Sequence, residues 1–171
     1  RNIIQSFVNN EKSIGLGGNY YPSDNLKLNM MISKHESSSW VNWLGDNKIG
    51  IFPLDRFSVR FNASWFPKEQ HELRIKFQAT VMEAETGAER LADTAGNLNS
   101  TDISVAGFDL GQLAFQIRYK YEISPLSHFY AVYTRGGRHY EDDDMSVREI
   151  ISGTWDNPQE DRFTLKLRMK F

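Results

Sequence analysis

The last ten residues, Arg162–Phe171, alternate without a break. Phe163, Leu165, Leu167, Met169 and Phe171 fall on one side of an extended chain; Thr164, Lys166, Arg168 and Lys170 fall on the other. A period of two marks a strand, here with one apolar face and one basic face. The pattern recurs upstream. Ser13–Tyr21 sets Ile14, Leu16 and Tyr20 against Gly15, Gly17 and Asn19. Leu26–Ser33 sets Leu28, Met30 and Ile32 against Lys27, Asn29 and Ser33. Arg56–Trp65 sets Phe57, Val59, Phe61, Ala63 and Trp65 against Ser58, Arg60, Asn62 and Ser64, and His71–Val81 answers with Leu73, Ile75, Phe77, Ala79 and Val81 against Glu72, Arg74, Lys76, Gln78 and Thr80. Gly111–Ile123 carries Leu113, Phe115, Ile117, Tyr119 and Tyr121 against Gln112, Gln116, Arg118, Lys120 and Glu122. His128–Arg135 is a strand by composition with apolar residues on both faces, and Ile3–Val8 is a shorter run whose facing the pattern leaves open. That makes about eight strands.

The connections have a rhythm. Pro22–Asn25, Pro67–Gln70 and Ser124–Ser127 are tight turns rich in Pro, Ser and Asn. Between them lie long stretches without sustained period, about 34–55, 82–109 and 136–160, with a short helix as one option near Ala88–Ala92. Short turns at one end and long loops at the other are the habit of outer-membrane barrels, whose periplasmic turns are short and whose outer loops are long. The fold class expected is therefore all-β, an antiparallel transmembrane β-barrel in the bacterial outer membrane, with 1–171 as a single domain. The orientation puts Tyr20, Tyr21, Trp65, Phe66, Tyr119, Tyr121 and Phe129 in an aromatic girdle at the periplasmic interface. It leaves Phe171 at the periplasmic rim, as a terminal signal for the barrel assembly machinery. The rival is a soluble antiparallel β protein with the same residues in a core.

Composition narrows this little. The net charge of −2 gives no field for nucleic acid, and the absence of cysteine removes disulfides and thiolate metal sites. No apolar run reaches the ~20 residues of a helical span, but strands hide their hydrophobicity by alternation, so a mean hydropathy of −0.53 fits a barrel. The start at Arg1 lacks a leader-like stretch, which suggests a processed form or a C-terminal piece. Charge placement favours the second. The inward face collects Arg60, Arg74, Lys76, Arg118, Lys120, Lys166, Arg168 and Lys170, against Glu72 and Glu122. Eight strands enclose only a bore that side chains fill, and unpaired cations buried there would cost several kcal/mol each. A wider, wet lumen avoids this, so the strands are expected to be the C-terminal part of a larger barrel.

The stretch from Gly111 to Gly137, with Phe115-Gln-Ile-Arg-Tyr-Lys-Tyr-Glu122, Ser124-Pro-Leu-Ser127 and Val132-Tyr-Thr-Arg-Gly-Gly137, resembles the C-terminal hairpin of the barrel domain called domain of unknown function 5916. The resemblance is specific over that stretch and weaker from Phe57 onward. It implies an outer-membrane barrel of a Gram-negative bacterium, usually preceded by a domain like family 9 carbohydrate-binding modules, and it carries no catalytic residue.

Candidate chemistry is sparse. His139 precedes Glu141-Asp-Asp-Asp144, where a carboxylate–imidazole pair could activate water in a barrel hydrolase, though a solvated acidic loop is the plainer reading. His35, His71 and His128 stand alone at strand ends. Trp40 and Trp43 read as an upper aromatic girdle or as a platform for a sugar. No catalytic, cofactor or metal residues are expected. The functional expectation is a pore, transport or ligand-hosting barrel with a basic lumen stripe. The alternative is a membrane anchor for a carbohydrate-binding domain or a surface complex. Expected partners are outer-membrane lipid and lipopolysaccharide, the assembly machinery and a lumenal plug or partner protein.

Overall fold

The computed structural model describes residues 10–141 and 146–170. Ile3–Val8, Asp142–Asp144 and Phe171 lie outside the described residues. The described residues form one antiparallel sheet of nine strands with one short helix. Its strands are β1 (Glu11–Ser23), β2 (Leu26–Gly45), β3 (Lys48–Lys68), β4 (His71–Ala84), β5 (Gly87–Ala92), β6 (Leu98–Val105), β7 (Phe108–Ser124), β8 (Ser127–Glu141) and β9 (Glu160–Arg168); the helix α1 (Val147–Asp156) precedes β9. The main order is β1-β2-β3-β4-β7-β8-β9, with β5 pairing β3 and β6 pairing β5. The sheet is open among the described residues, with β1 and β9 as edges of the main path.

The three tight turns appear as expected, at Asp24–Asn25, Glu69–Gln70 and Pro125–Leu126. The first two long stretches are not open loops. β2 and β3 continue upward to a tip at Asp46–Asn47, so 34–55 is a tall hairpin. The 82–109 stretch is a second, in which β5 pairs β3 above the end of β4 and β6 returns beside β5. The region near Ala88–Ala92 is thus strand, because its backbone is paired to Lys48–Ile51. Gly87 and Gly107 sit at the step between the two levels. A Cβ on Gly87 would lie 2.6 Å from Ile51 O, and one on Gly107 would collide with Ala84 O.

Register carries the alternation across the whole sheet. Leu16 faces Ile32, which faces Val59, Ala79 and Leu113 in turn; Phe61 faces Phe77, which faces Phe115; Ile75 faces Ile117, Tyr133 and then Phe163. One face is therefore an apolar band seven strands wide. It is uncovered toward its edges, where Leu16 is 81% exposed, Phe163 64% and Leu167 61%, and buried in the middle beside α1, at Ala79, Val81 and Leu113. A separate packed cluster lies at the tall end and on the parity of the polar face, where Phe52, Leu54 and Ala84 are buried against Trp40, Met82, Val105 and Phe108. Trp40 rings meet Phe52 at 6.1 Å and Phe108 at 6.0 Å, so Trp40 belongs to this core, not to an upper girdle or a sugar platform. Trp43 stays exposed, its Nε1 donating to Asp46 O at 3.1 Å.

The helix docks on the apolar face. Ser146 caps it: its Oγ accepts from Glu149 N, while Glu149 Oε2 accepts from Ser146 N at 3.0 Å. Ile150 and Thr154 point down onto β7 and are 1% exposed. They fit because Gly111 lies beneath them; a Cβ there would collide with Ile150 Cγ2 and sit 2.5 Å from Thr154 Oγ1. Sequence alternation gave no sign of this helix.

Candidate functional site

The polar face holds the charged residues that the sequence pattern set inward. Arg60 lies across from Gln78, Arg74 from Arg118, Lys76 from Gln116, Lys120 from Tyr130, Tyr130 from Lys166 and His128 from Arg168. Seven of the eight expected cations thus share one face, on four strands, β3, β4, β7 and β9. Lys170 follows β9, its backbone N donating to Ser127 Oγ at 3.1 Å. Two neighbours, Arg74 and Arg118, converge on the buried Glu72, Arg74 in a close ion pair and Arg118 at 3.6 Å. Directly opposed like charges destabilise a sheet, and Glu72 relieves that repulsion. Asn19, Asn29 and Asn62 add a side-chain ladder across β1–β3, with bonds of 3.2 and 3.1 Å.

Higher on this face the side chains shrink. Ala114 faces Gly136 across β7 and β8, and two hollows of about 440 and 500 Å³ meet there, sharing Gln78, Ala114 and Thr134. Arg60 and Lys76 border the lower hollow and Arg138 the upper. Among the described residues none of these three cations has a carboxylate partner. Glu160, also on the upper hollow, is held by Arg162. Arg138 was missed in the sequence because its strand seemed to end at Arg135; β8 runs on to Glu141.

The apolar face has its own borders. At the short-turn end Trp65, Leu73 and Tyr119 share one row, and His71, Tyr121, Phe129 and Leu167 the next. His71 Nδ1 and Tyr119 Oη are 2.7 Å apart. Tyr20 lies two residues higher, beside Leu28, and Phe66 is exposed at the turn, its N donating to Asn25 O. Tyr21 departs from the expected girdle: Lys27 Nζ sits 5.5 Å over its ring, on the polar side. At the far end the apolar band stops at a transverse row of carboxylates, Glu36, Asp55, Glu83 and Asp109, each across from the next, with Glu141 following by register. Lys34 bridges Glu36 at 2.8 Å and Asp55 at 2.9 Å.

The acidic run of the hydrolase arrangement, Asp142–Asp144, lies outside the described residues. The His139 ring lies against Gly153 of α1, where a Cβ would sit 3.1 Å from its Nε2. No group of three or more metal-ligating side chains exists among the described residues. His128 stacks edge-on with Tyr130 at 6.0 Å. Comparison with protein-family models, curated proteins and solved structures finds no match.

Proposed function

We propose that this sheet is wall of a Gram-negative outer-membrane β-barrel, its apolar face against lipid and its polar face lining a wet lumen that conducts or hosts a solute. The observation that carries the reading is the band itself. Soluble monomers rarely expose contiguous apolar patches beyond a few hundred Å², yet here seven paired strands present one. Its height fits a membrane. His71 to Val81 spans roughly 34 Å along β4 at ~3.4 Å per residue. At the ~35–45° tilt of such walls this rises roughly 24–28 Å, against an apolar band of ~25 Å. Aromatic rows at the short-turn border and carboxylates at the other support the same orientation, as does the family resemblance of Gly111–Gly137. In this reading the strands form one part of the wall of a larger barrel, so an open sheet is no obstacle, and Glu72 with its arginines is a lumenal cluster.

The test uses the absence of native cysteine. Single cysteines at Asp46 and Gly96 are expected to react with a bulky impermeant maleimide on intact cells, and cysteines at Asn25 and Leu126 only after lysis. Labelling of both ends on intact cells, or recovery of the chain in the soluble fraction, would overturn the reading.

A further inference from the structure

We infer that the recess at Ala114 and Gly136 binds an anionic saccharide. This deepens the proposed reading by naming the solute, and it rests on the polar face being open to solvent. The recess exists because small residues meet on adjacent strands, so its floor is largely backbone. Around it stand Arg60, Lys76 and Arg138, which lack carboxylate partners among the described residues, unlike Arg74 and Arg118 on Glu72. Arg60 and Lys76 at the lower hollow and Arg138 at the upper can hold successive anionic groups at low cost, since none must first leave a partner. The one carboxylate on the rim, Glu160, is already engaged by Arg162.

The second half of the chemistry is amide. Gln78, Gln112 and Gln116 line the same track and make no side-chain hydrogen bond among the described residues. Each carboxamide offers two donors and an acceptor side by side, which matches neighbouring hydroxyls that both donate and accept. A bare inorganic anion would use the cations and leave the amides to water. A nucleotide would want an aromatic platform. Phe77 and Phe115 border the lower hollow, but Phe115 stacks on Trp155 and Phe77 lies beneath α1, both on the opposite face. A sugar acid or sugar phosphate uses both sets of groups.

The experiment is titration calorimetry on the full chain in detergent, with trigalacturonate as probe, maltotriose as the neutral control and tripolyphosphate as the charge-only control. Trigalacturonate is expected to bind, and maltotriose to bind at least roughly tenfold more weakly, the order of one lost charge-assisted contact. Combined Arg60→Gln, Lys76→Gln and Arg138→Gln should weaken trigalacturonate by more than roughly tenfold. Ala114→Phe, which fills the recess without changing charge, should abolish binding, and Lys166→Gln, on β9 six residues nearer the short turns than the recess-lining Glu160, should leave it unchanged. Gln78→Leu with Gln116→Leu should weaken trigalacturonate but not tripolyphosphate. No heat with trigalacturonate, or equal affinity in the triple variant, overturns the inference. Equal effects of the Gln→Leu pair on both anions reduce the site to a simple anion site and overturn the saccharide assignment. Because this readout needs no bilayer, its failure is distinct from failure of the cysteine labelling.

Discussion

Arginine placed at chosen depths on the apolar face separates a lipid-facing wall from a soluble sheet. Ile75 sits four residues above His71 on β4, roughly 14 Å along the strand and roughly 10 Å in height at ~40° tilt. That is close to the middle of a ~25 Å band. Its neighbours across the strands are Ala63 and Ile117, both apolar. Leu167 pairs with Phe129, the third residue of β8 after its short turn, and so lies near the interface, although from the terminal strand alone it looks like a central lipid contact. Ile75→Arg should therefore cost about 2–4 kcal/mol and Leu167→Arg about 0–1 kcal/mol. Gln116→Arg, on the polar face opposite Lys76, should cost no more than about 1 kcal/mol from the opposed charges. The assay is urea-dependent folding into lipid vesicles, each variant compared with the parent at its transition midpoint. A lipid-facing wall gives a cost that follows depth. Equal costs at Ile75 and Leu167 would instead describe a core of uniform dielectric and refute the membrane placement.

Gly111→Val should unseat α1, because the added Cβ meets Ile150 and Thr154; a loss of about 1–3 kcal/mol should accompany a red shift of Trp155 emission on losing its contact with Phe115. Glu72→Gln should cost about 1–2 kcal/mol, less than the ~3–5 of a fully buried pair, because Arg74 and Arg118 keep 44% and 34% of their side chains exposed; no change in the urea midpoint would mean the three do not act together. The Ser146 hydroxyl and backbone N hold the Glu149 carboxyl below its ordinary value of 4.5. Its contribution to the helix cap is complete above that value and lost as pH falls through the lowered one, so amide exchange at Ile150 should accelerate only in acid, and in Glu149→Gln should show no such acid step.

The sheet was legible where one face had to differ from the other. That Phe61, Phe77, Ile75 and Ile117 lie on one face follows from alternation alone, and the three tight turns from their Pro, Ser and Asn, while the pairing of these residues comes from the register. The tall end was not legible, because there the polarity of the faces reverses. Below it even positions of β3, such as Arg60 and Ser58, are polar; above it Phe52 and Leu54 are the buried ones, and Asp55 takes the parity of Phe57. A reader tracking one apolar face sees the period vanish at that point and writes a loop. The carboxylate row was hidden for the same reason: its members lie far apart in sequence, and only register aligns them. Lys34 and Glu36 continuing the parity of Ile32 were the available signal. The basic face was legible residue by residue, but its division into arginines held by Glu72 and cations left around the recess depends on side-chain contacts that alternation cannot supply.

The helix tests the wall most severely, because beside it two charges enter the apolar face. Arg135 faces Phe115 on one side and Asp161 on the other, in the row of Phe61 and Phe77. A lone arginine at that height would be among the costliest residues a lipid-facing strand could carry. Here its donors are taken: Nε and Nη2 give to Trp155 O at 3.1 and 2.7 Å, Nη1 pairs with Asp161, and the Trp155 ring covers the guanidinium at 5.0 Å. The apolar stretch of β8 is accordingly short, Phe129 to Tyr133, with α1 seated above it. The polar back of α1, with Glu149 and Ser152, then lies where headgroups would meet the wall. Gly111 lets the helix down onto the sheet, the helix brings Trp155 over Arg135, and Trp155 with Asp161 makes that charge tolerable. On this argument Gly111→Val injures more than packing. It uncovers Arg135 to lipid, so its cost in vesicles should exceed its cost in detergent, where water reaches the guanidinium. Equal costs in the two media would place Arg135 outside the hydrocarbon.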